Sequence, residues 1–173
     1  MTTTSNWTIY DSPLGPLTLV GGPSGLAALR FPDHDAALAG DERAAAPFVD
    51  ACRQLDEYFA GGREQFDLRL DLRGTPFQRA VWAALGRIPS GSTTTYGALA
   101  RSLGRPAAVR AVGAAVGRTP VPIVVPCHRV VASDGSLTGY LGGLERKRAL
   151  LDLERGGGST TARRPSPRTL APR

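Results

Sequence analysis

The chain of 173 residues has little cysteine, little histidine and no long hydrophobic run. Its 2 cysteines, Cys52 and Cys127, are too few for the framework of a disulfide-rich secreted fold. Only His34 and His128 could join them as soft ligands, so neither a structural zinc site nor another metal is expected. No apolar run approaches the roughly 20 residues of a membrane-spanning helix, and Met1–Asn6 is too short and polar for a signal peptide. We therefore expect a cytoplasmic protein with reduced cysteines and no membrane partner.

Acidic residues are scarce in the second half of the chain, so the net charge of +6 is unevenly distributed. Residues 1–73 have a charge of −5, residues 74–155 of +7 and residues 156–173 of +4. Such asymmetry indicates a polyanionic partner for the second half, although an arginine-rich composition alone would give the same high pI. The last segment (156–173) lacks apolar periodicity and is rich in Gly, Ser, Thr and Pro, so we expect a disordered tail.

The first 73 residues have the pattern of a small α+β domain. Three short apolar segments separated by turn residues predict a meander of strands: Trp7–Tyr10, Leu17–Val20 and Leu26–Phe31. Apolar residues at helical spacing over Phe48–Phe59 predict a helix with Cys52 in the core. The alternation over Phe66–Leu72 predicts a further strand, and the domain is expected to end near Arg73. His34, beside two aspartates in a loop, is expected at the surface.

Helical patterns replace strands after Arg73. Thr75-Pro76-Phe77-Gln78 has the residue order of a capping box with proline at the first helical position. Two short helices are predicted over Tyr96–Leu103 and Pro106–Val116, joined by a turn at Gly104. Three valines give the second helix an apolar face: Val109, Val112 and Val116. With the arginines nearby, the pair fits a DNA-binding helix-turn-helix, and an ordinary αα-hairpin fits the spacing equally well.

A proline-braced apolar segment, residues 120–126, leads into Cys127, His128 and Arg129. A thiolate is the nucleophile in cysteine chemistry, and neighbouring His and Arg side chains lower the thiol pKa. Adjacent residues point in different directions, so His128 would reach the thiol through a bridging water, with a carboxylate orienting its imidazole. The residues alone leave a second interpretation open, a buried structural thiol with His128 in the core.

The segment Ile123–Val130 resembles the active-site signature of the O6-alkylguanine-DNA alkyltransferases, also called methylated-DNA–protein-cysteine methyltransferases. Further matches to this family lie at Gly74–Gln78, Thr95–Gly97, Arg110–Gly113, Thr138–Gly143 and Leu150–Glu154. The resemblance covers about residues 6–155. It implies an α+β fold, with an N-terminal ribonuclease-H-like α/β domain (1–73) followed by a mainly helical C-terminal domain (74–155) that carries a winged-helix-like helix-turn-helix.

The same resemblance implies DNA repair by direct reversal. The alkyl group of O6-alkylguanine, with O4-methylthymine as a second candidate, would pass irreversibly and once per protein to Cys127, with no cofactor. Glu154, His128 and a water would form the relay that produces the thiolate. Tyr96 would help to rotate the nucleotide and donate a hydrogen bond to the damaged base. The partner would be double-stranded DNA with alkylated bases, bound through the minor groove by a monomer.

The resemblance also assigns residues to the DNA interface and to the base pocket. Arg110 would fill the gap that the flipped-out base leaves. The remaining DNA contacts would come from Thr95, Ala111 and Gly113. The base pocket would be lined by Pro122, Val130, Tyr140 and Leu141. Backbone groups of Val130 and Leu141 would read the purine edge.

One position departs from the family's pattern. Thr119-Pro120 stands where family members usually have Asn-Pro near the reactive loop, and one hydroxyl cannot replace every hydrogen bond of an amide. We expect this difference to affect the transfer rate, and it keeps open a non-catalytic protein that senses alkylated bases. Cys127, which such sensors lack, opposes that alternative. A Cys-His hydrolase would need an oxyanion site and a separated triad, and the sequence indicates neither. A transcription factor stays open as an alternative, and it would bind one operator sequence rather than damaged DNA of any sequence.

Overall fold

The computed structural model describes residues 5–32 and 42–156 of the chain. His34 and the predicted tail after Gly156 lie outside the described residues. The strands are β1 (Asn6–Ser12), β2 (Gly15–Gly22), β3 (Gly25–Arg30), β4 (Glu42–Arg43), β5 (Thr94–Thr95) and β6 (Val130–Val131). The helices are α1 (Val49–Phe59), α2 (Pro76–Leu85), α3 (Tyr96–Ser102), α4 (Val109–Gly117) and α5 (Leu144–Glu154). Within the described ranges, no helix is long and apolar enough to cross a membrane.

The larger sheet is built from two local hairpins. Its strand order is β3-β2-β1-β4, with β2 antiparallel to both β1 and β3, and β4 parallel to β1. The three predicted strands are confirmed as β1, β2 and β3, and residues such as Leu17 and Leu19 are fully buried. The β2–β3 turn requires glycine, because Gly25 has a φ of +129° and a Cβ there would lie 2.4 Å from the carbonyl oxygen of Arg69.

The predicted strand over Phe66–Leu72 is wrong. The segment runs beside β3, where the Leu26 amide donates to Arg69 O at 2.8 Å and the Asp71 amide donates to Leu26 O at 2.9 Å. These bonds make one isolated bridge, between Leu26 and Leu70, and no ladder. The alternating apolar side chains pack against the hydrophobic cores instead. Alternation therefore reported which side chains face inward, not whether the backbone pairs.

Helix α1 confirms the helix predicted over Phe48–Phe59, and it buries Leu55 and Tyr58. The prediction for Cys52 needs correction, because this residue is only half-buried and packs at the edge of the core. Burial raises the pKa of its thiol. Cys52 therefore lies between the core and the solvent rather than fully inside.

The capping box predicted at the start of α2 is confirmed. The Gln78 amide donates to Thr75 Oγ1 at 3.2 Å, and the Thr75 amide donates to Gln78 Oε1 at 2.9 Å. Helix α2 then packs against α4, where the Trp82 indole N–H donates to Ala115 O at 2.9 Å. Helix α2, capped at its N-terminus and hydrogen-bonded to α4 through Trp82, thus supports the helix pair that follows.

The second helix of that pair begins later than predicted. Residues 106–107 form a turn, and α4 starts at Val109 rather than at Pro106. Val109 is 39% exposed, so the predicted apolar face is reduced to Val112 and Val116. The cause is position, because a side chain at the first helical residue leans toward the N-terminal end and beyond the packed face.

The two halves of the chain share a core. One hydrophobic core joins side chains of the sheet and α1 to Val121, Ile123 and Leu150 of the second half, and a second core has all its buried members in the second half. The Leu29 amide of β3 also donates to Pro120 O at 2.9 Å. The segment that precedes Cys127 therefore packs against the sheet.

Candidate active site

The segment before Cys127 is bent by two tight turns. The Val125 amide donates to Val121 O at 2.9 Å, and the Cys127 amide donates to Val125 O at 2.8 Å. Ile123 has a φ of +74°, which for a β-branched residue costs about 1–3 kcal/mol. Its side chain is 1% exposed and lies in the core shared with the sheet, which holds the strained backbone in place. Packing against the first half thus fixes the backbone of the segment that precedes Cys127.

Cys127 opens a single 3-10 turn, Cys127–Arg129, and is buried. Burial raises the pKa of its thiol to about 11, and a hydrogen bond from Thr119 together with the positive charge of Lys147 offsets part of this increase. The thiol is therefore neutral near pH 7. A nucleophilic role for Cys127 requires a base that removes its proton.

His128 has the properties of that base. It is fully buried, and its Nε2 lies 2.7 Å from Oε1 of Glu154. Burial lowers the pKa of His128, although Glu154 acts in the opposite direction. We assign the imidazole proton to Nε2 from the bond to the carboxylate, which leaves Nδ1 as an acceptor. No described residue bonds this buried Nδ1.

Glu154 is a buried carboxylate with a full set of donors. Arg129 donates from Nε to Oε2 at 2.9 Å and from Nη2 to Oε1 at 2.8 Å, and Tyr58 donates to Oε1 at 2.7 Å. Burial alone would raise the pKa of Glu154, but the hydrogen bonds from His128, Arg129 and Tyr58 outweigh it and lower the pKa to about 2. The charge is thus paired, as a buried ion must be. The carboxylate bonds the imidazole of His128 at Nε2, on the side opposite Nδ1.

Lys147 is the chain's only lysine, and the structure buries it completely. Its Nζ donates to Val130 O at 2.6 Å and to Thr138 O at 2.9 Å. Burial lowers its pKa, and the neighbouring Cys127 acts in the opposite direction. Lys147 therefore brings positive charge to the thiol and also holds two backbone carbonyls in place.

Of the residues assigned to the base pocket, Tyr140 lies where the two halves meet. Tyr140 packs against both cores, its ring lies 5.9 Å from that of Phe31, and its buried hydroxyl bonds no described residue. Pro122 and Val130 are buried, whereas Leu141 is 43% exposed. The four residues assigned to the pocket are thus two buried positions, one aromatic ring at the junction and one surface residue.

The helix pair presents the residues assigned to DNA. Thr95 Oγ1 accepts from the Ala98 amide at 3.1 Å and caps α3. Tyr96 follows, and its hydroxyl donates to Thr138 O at 3.3 Å. Gly113 of α4 faces this ring, because a Cβ there would lie 3.8 Å from Tyr96 Cδ1. Two further residues are exposed on the first turn of α4: Arg110 and Ala111.

The structure therefore brings Cys127, His128 and Glu154 together and links Tyr96 to Lys147 through one carbonyl. Sequence reasoning missed the parts played by Tyr58 and Lys147. Tyr58 lies 96 positions from Glu154, and no local pattern indicates their contact. Lys147 stands in a run of four charged residues that resembles a solvated helix face.

Fold and site together define a two-part α+β protein whose helical half carries a buried thiol beside a histidine–carboxylate pair. The sequence profile of the ribonuclease-like domain of 6-O-methylguanine DNA methyltransferase matches residues 6–72, and that of its DNA-binding domain matches residues 76–156. The chain belongs to the 6-O-methylguanine DNA methyltransferase family.

Individual relatives agree with this assignment. A methylated-DNA–protein-cysteine methyltransferase of Mycobacterium bovis is 51% identical over 147 residues, which cover 84% of this chain and 89% of the relative. One of Methanosarcina barkeri is 48% identical over 155 residues, covering 84% of this chain and 94% of the relative. The crystal structure of Mycobacterium tuberculosis OGT in complex with DNA superposes with a TM-score of 0.84 at 48% identity, covering 90% of this chain and 96% of that chain.

Proposed function

We propose that the protein repairs alkylated DNA by direct reversal, moving the alkyl group from O6 of guanine in duplex DNA to Sγ of Cys127. The observation that carries this proposal is the buried Glu154 carboxylate, which binds the imidazole of His128 at Nε2 and leaves Nδ1 as an acceptor, while burial of the ring favours its neutral form. The family's relatives named above act on methylated DNA through a cysteine, which gives the substrate class.

The first step is removal of the thiol proton. A thiol with a pKa of about 11 is ionised in only about one molecule in 10⁴ at pH 7, so an internal base accelerates the reaction. The proton passes through one water to Nδ1 of His128, and Glu154 stabilises the imidazolium that forms. The thiolate arises beside Thr119 and Lys147, both of which favour its charge.

The second step is displacement at the alkyl carbon. Sγ attacks from the side opposite O6, an S–C bond forms, and the C–O bond breaks with its electron pair remaining on the purine. Guanine becomes a better leaving group when a donor stabilises the developing negative charge, and we assign this role to Tyr96. The purine regains one proton, which balances the proton lost by the thiol.

The reaction stops after one turnover. The product is a thioether, and a thiolate bound to a saturated carbon is too poor a leaving group for nearby residues to displace. Each protein molecule therefore accepts one alkyl group. No separate methyl donor enters the balance.

Access to O6 requires the nucleotide to leave the stack, because a stacked duplex has no room for in-line attack. We assign insertion to Arg110, at the exposed start of α4, with contacts from Thr95, Ala111 and Gly113 beside it. We place this helix pair in the minor groove, bound as a monomer, with Pro122, Val130, Tyr140 and Leu141 around the extruded base. Because the acceptor must remain a free thiol, we place the protein in the cytoplasm.

The test is the intact mass of the protein after incubation with a duplex that contains one O6-methylguanine, followed by peptide mapping. We expect one CH2 unit on the Cys127 peptide, no more than one per molecule, and none with undamaged DNA. Cys127→Ser should remove the gain, and Cys52→Ser, the matched control, should keep it. Tighter binding to the damaged duplex without any gain would replace the proposal with a non-catalytic sensor.

A further inference from the structure

Tyr58 belongs to the sheet-bearing half of the chain, yet it contacts the centre of the relay. It lies on α1, is 2% exposed, and its hydroxyl donates to Oε1 of Glu154 at 2.7 Å. The rings of Phe59 and Phe66 pack against it, each with its centroid 5.3 Å away. The phenol is thus held in one orientation by its own half of the molecule.

The acceptor atom is shared. Oε1 of Glu154 lies 2.7 Å from Nε2 of His128 and also accepts from Arg129 Nη2 at 2.8 Å. Burial raises the pKa of Tyr58, so the phenol stays protonated and donates throughout the physiological range. A donor on the same oxygen takes part of the negative charge that would otherwise act on the imidazole.

We infer that Tyr58 is a positioning residue for the relay, whose hydroxyl holds Oε1 of Glu154 against His128 and keeps the imidazole neutral. The charged groups around His128 are Glu154 and Lys147 of α5 and Arg129 of its own turn. Tyr58 adds a neutral donor from α1, so the first half of the chain takes part in the chemistry. This inference rests on the proposed function for its role in repair.

Removing the hydroxyl should leave more of the carboxylate's charge to act on the imidazole. The pKa of His128 would then rise, and the imidazole would become protonated at a higher pH. A protonated imidazole cannot accept the thiol proton. The acid limb of the Cys127 reaction should therefore move to higher pH, while DNA affinity should not change.

The experiment uses Tyr58→Phe in a Cys52→Ser background, so that Cys127 is the thiol measured. Tyr10→Phe is the matched control, because its hydroxyl donates to Asp56 of the same helix at 2.8 Å, away from the relay. Rates are measured between pH 5 and 8 for iodoacetamide and for a duplex with O6-methylguanine. We expect Tyr58→Phe to move both acid limbs upward by about half to one pH unit, and Tyr10→Phe to leave them in place.

Identical acid limbs in the two variants would overturn the inference. A failure of transfer in every variant would overturn the proposed function alone, because the iodoacetamide profile still decides the role of Tyr58. If Tyr58→Phe does not fold, proton NMR of the protein without substitutions tests the role of Tyr58 instead. The Tyr58 hydroxyl resonance should shift as His128 titrates, and a resonance that does not move would refute the inference.

Discussion

At the scale of single residues, Thr119 stands where the family resemblance leads us to expect asparagine. The residue is 3% exposed, and its hydroxyl donates to Val116 O at 2.8 Å. The same side chain lowers the pKa of the Cys127 thiol through a hydrogen bond. One hydroxyl has one proton, so it cannot donate to the carbonyl and to the thiolate at the same time. An asparagine amide has two.

We therefore predict that Thr119→Val slows alkyl transfer about ten- to hundredfold at pH 7, because a hydrogen bond to a charged group contributes about 1.5–3 kcal/mol. Stability should change little, since Val116 O also accepts from the Thr119 amide at 3.2 Å. Single-turnover rates on a duplex with O6-methylguanine measure the effect. Thr119→Ser, which keeps the hydroxyl, is the control, and equal rates for the Val variant and the parent would contradict the prediction.

The chemistry of the site was predictable from sequence only where it is local or resembles a known signature. Cys127 and His128 stand together in one motif, and Glu154 came from the family resemblance. Tyr58 and Lys147 could not be predicted, because their roles depend on contacts between distant segments. Nothing in the charged run of residues 145–148 tells which cation folding will bury.

At the scale of elements, two threonines cap neighbouring helices in the same way but lie in different places. Thr75 caps α2, which carries none of the residues assigned to DNA, and Thr95 caps α3 directly before Tyr96. Both side chains accept a hydrogen bond from a backbone amide three residues later, that of Gln78 and that of Ala98. Comparing the two threonines therefore distinguishes a general loss of helix stability from an effect specific to the helix that carries Tyr96.

Replacing either threonine by alanine should lower the free energy of unfolding by about 1 kcal/mol, because each change exposes an uncapped amide. Only Thr95→Ala should also slow transfer on duplex DNA, because it loosens the first turn that carries Tyr96. Urea denaturation and single-turnover rates measure the two effects. Equal slowing by Thr75→Ala would attribute the loss to stability and contradict the prediction.

Most elements followed from periodicity and turn residues, and the two failures share a cause. The segment Phe66–Leu72 alternates because its side chains face the core, although its backbone forms a single bridge. Val109 is apolar and in register with Val112, yet it lies at the helix end and is exposed. Periodicity reports the preferred direction of a side chain. Whether a neighbouring element is there to cover it depends on the tertiary fold.

At the scale of the whole molecule, the loop that carries Tyr140 docks on the sheet-bearing half. A Cβ at Gly142 would lie 2.7 Å from the Phe31 ring, and Phe31 itself is fully buried. Arg146 spans the same junction, donating from Nε to Leu14 O and from Nη1 to Gly142 O, each at 3.1 Å. The position of the loop that carries Tyr140 thus depends on the close approach of the Gly142 backbone to the Phe31 ring.

Gly142→Ala should therefore lower the free energy of unfolding by about 1–3 kcal/mol and slow transfer, because the new methyl group forces the loop away from Phe31. Phe31→Leu alone should also destabilise, through lost packing. In the double variant the methyl group occupies space left by the ring, so the combined loss should be smaller than the sum by about 0.5–3 kcal/mol.

Urea denaturation of the four proteins in this cycle measures that coupling. Gly117→Ala provides the control, since a Cβ there meets nothing within 4 Å, and its effect should add to that of Phe31→Leu. Additive losses for Gly142→Ala and Phe31→Leu would show that the loop and the ring do not constrain each other. If the two changes are coupled in stability and the double variant also recovers the transfer rate, the sheet-bearing half sets the position of the loop that carries Tyr140.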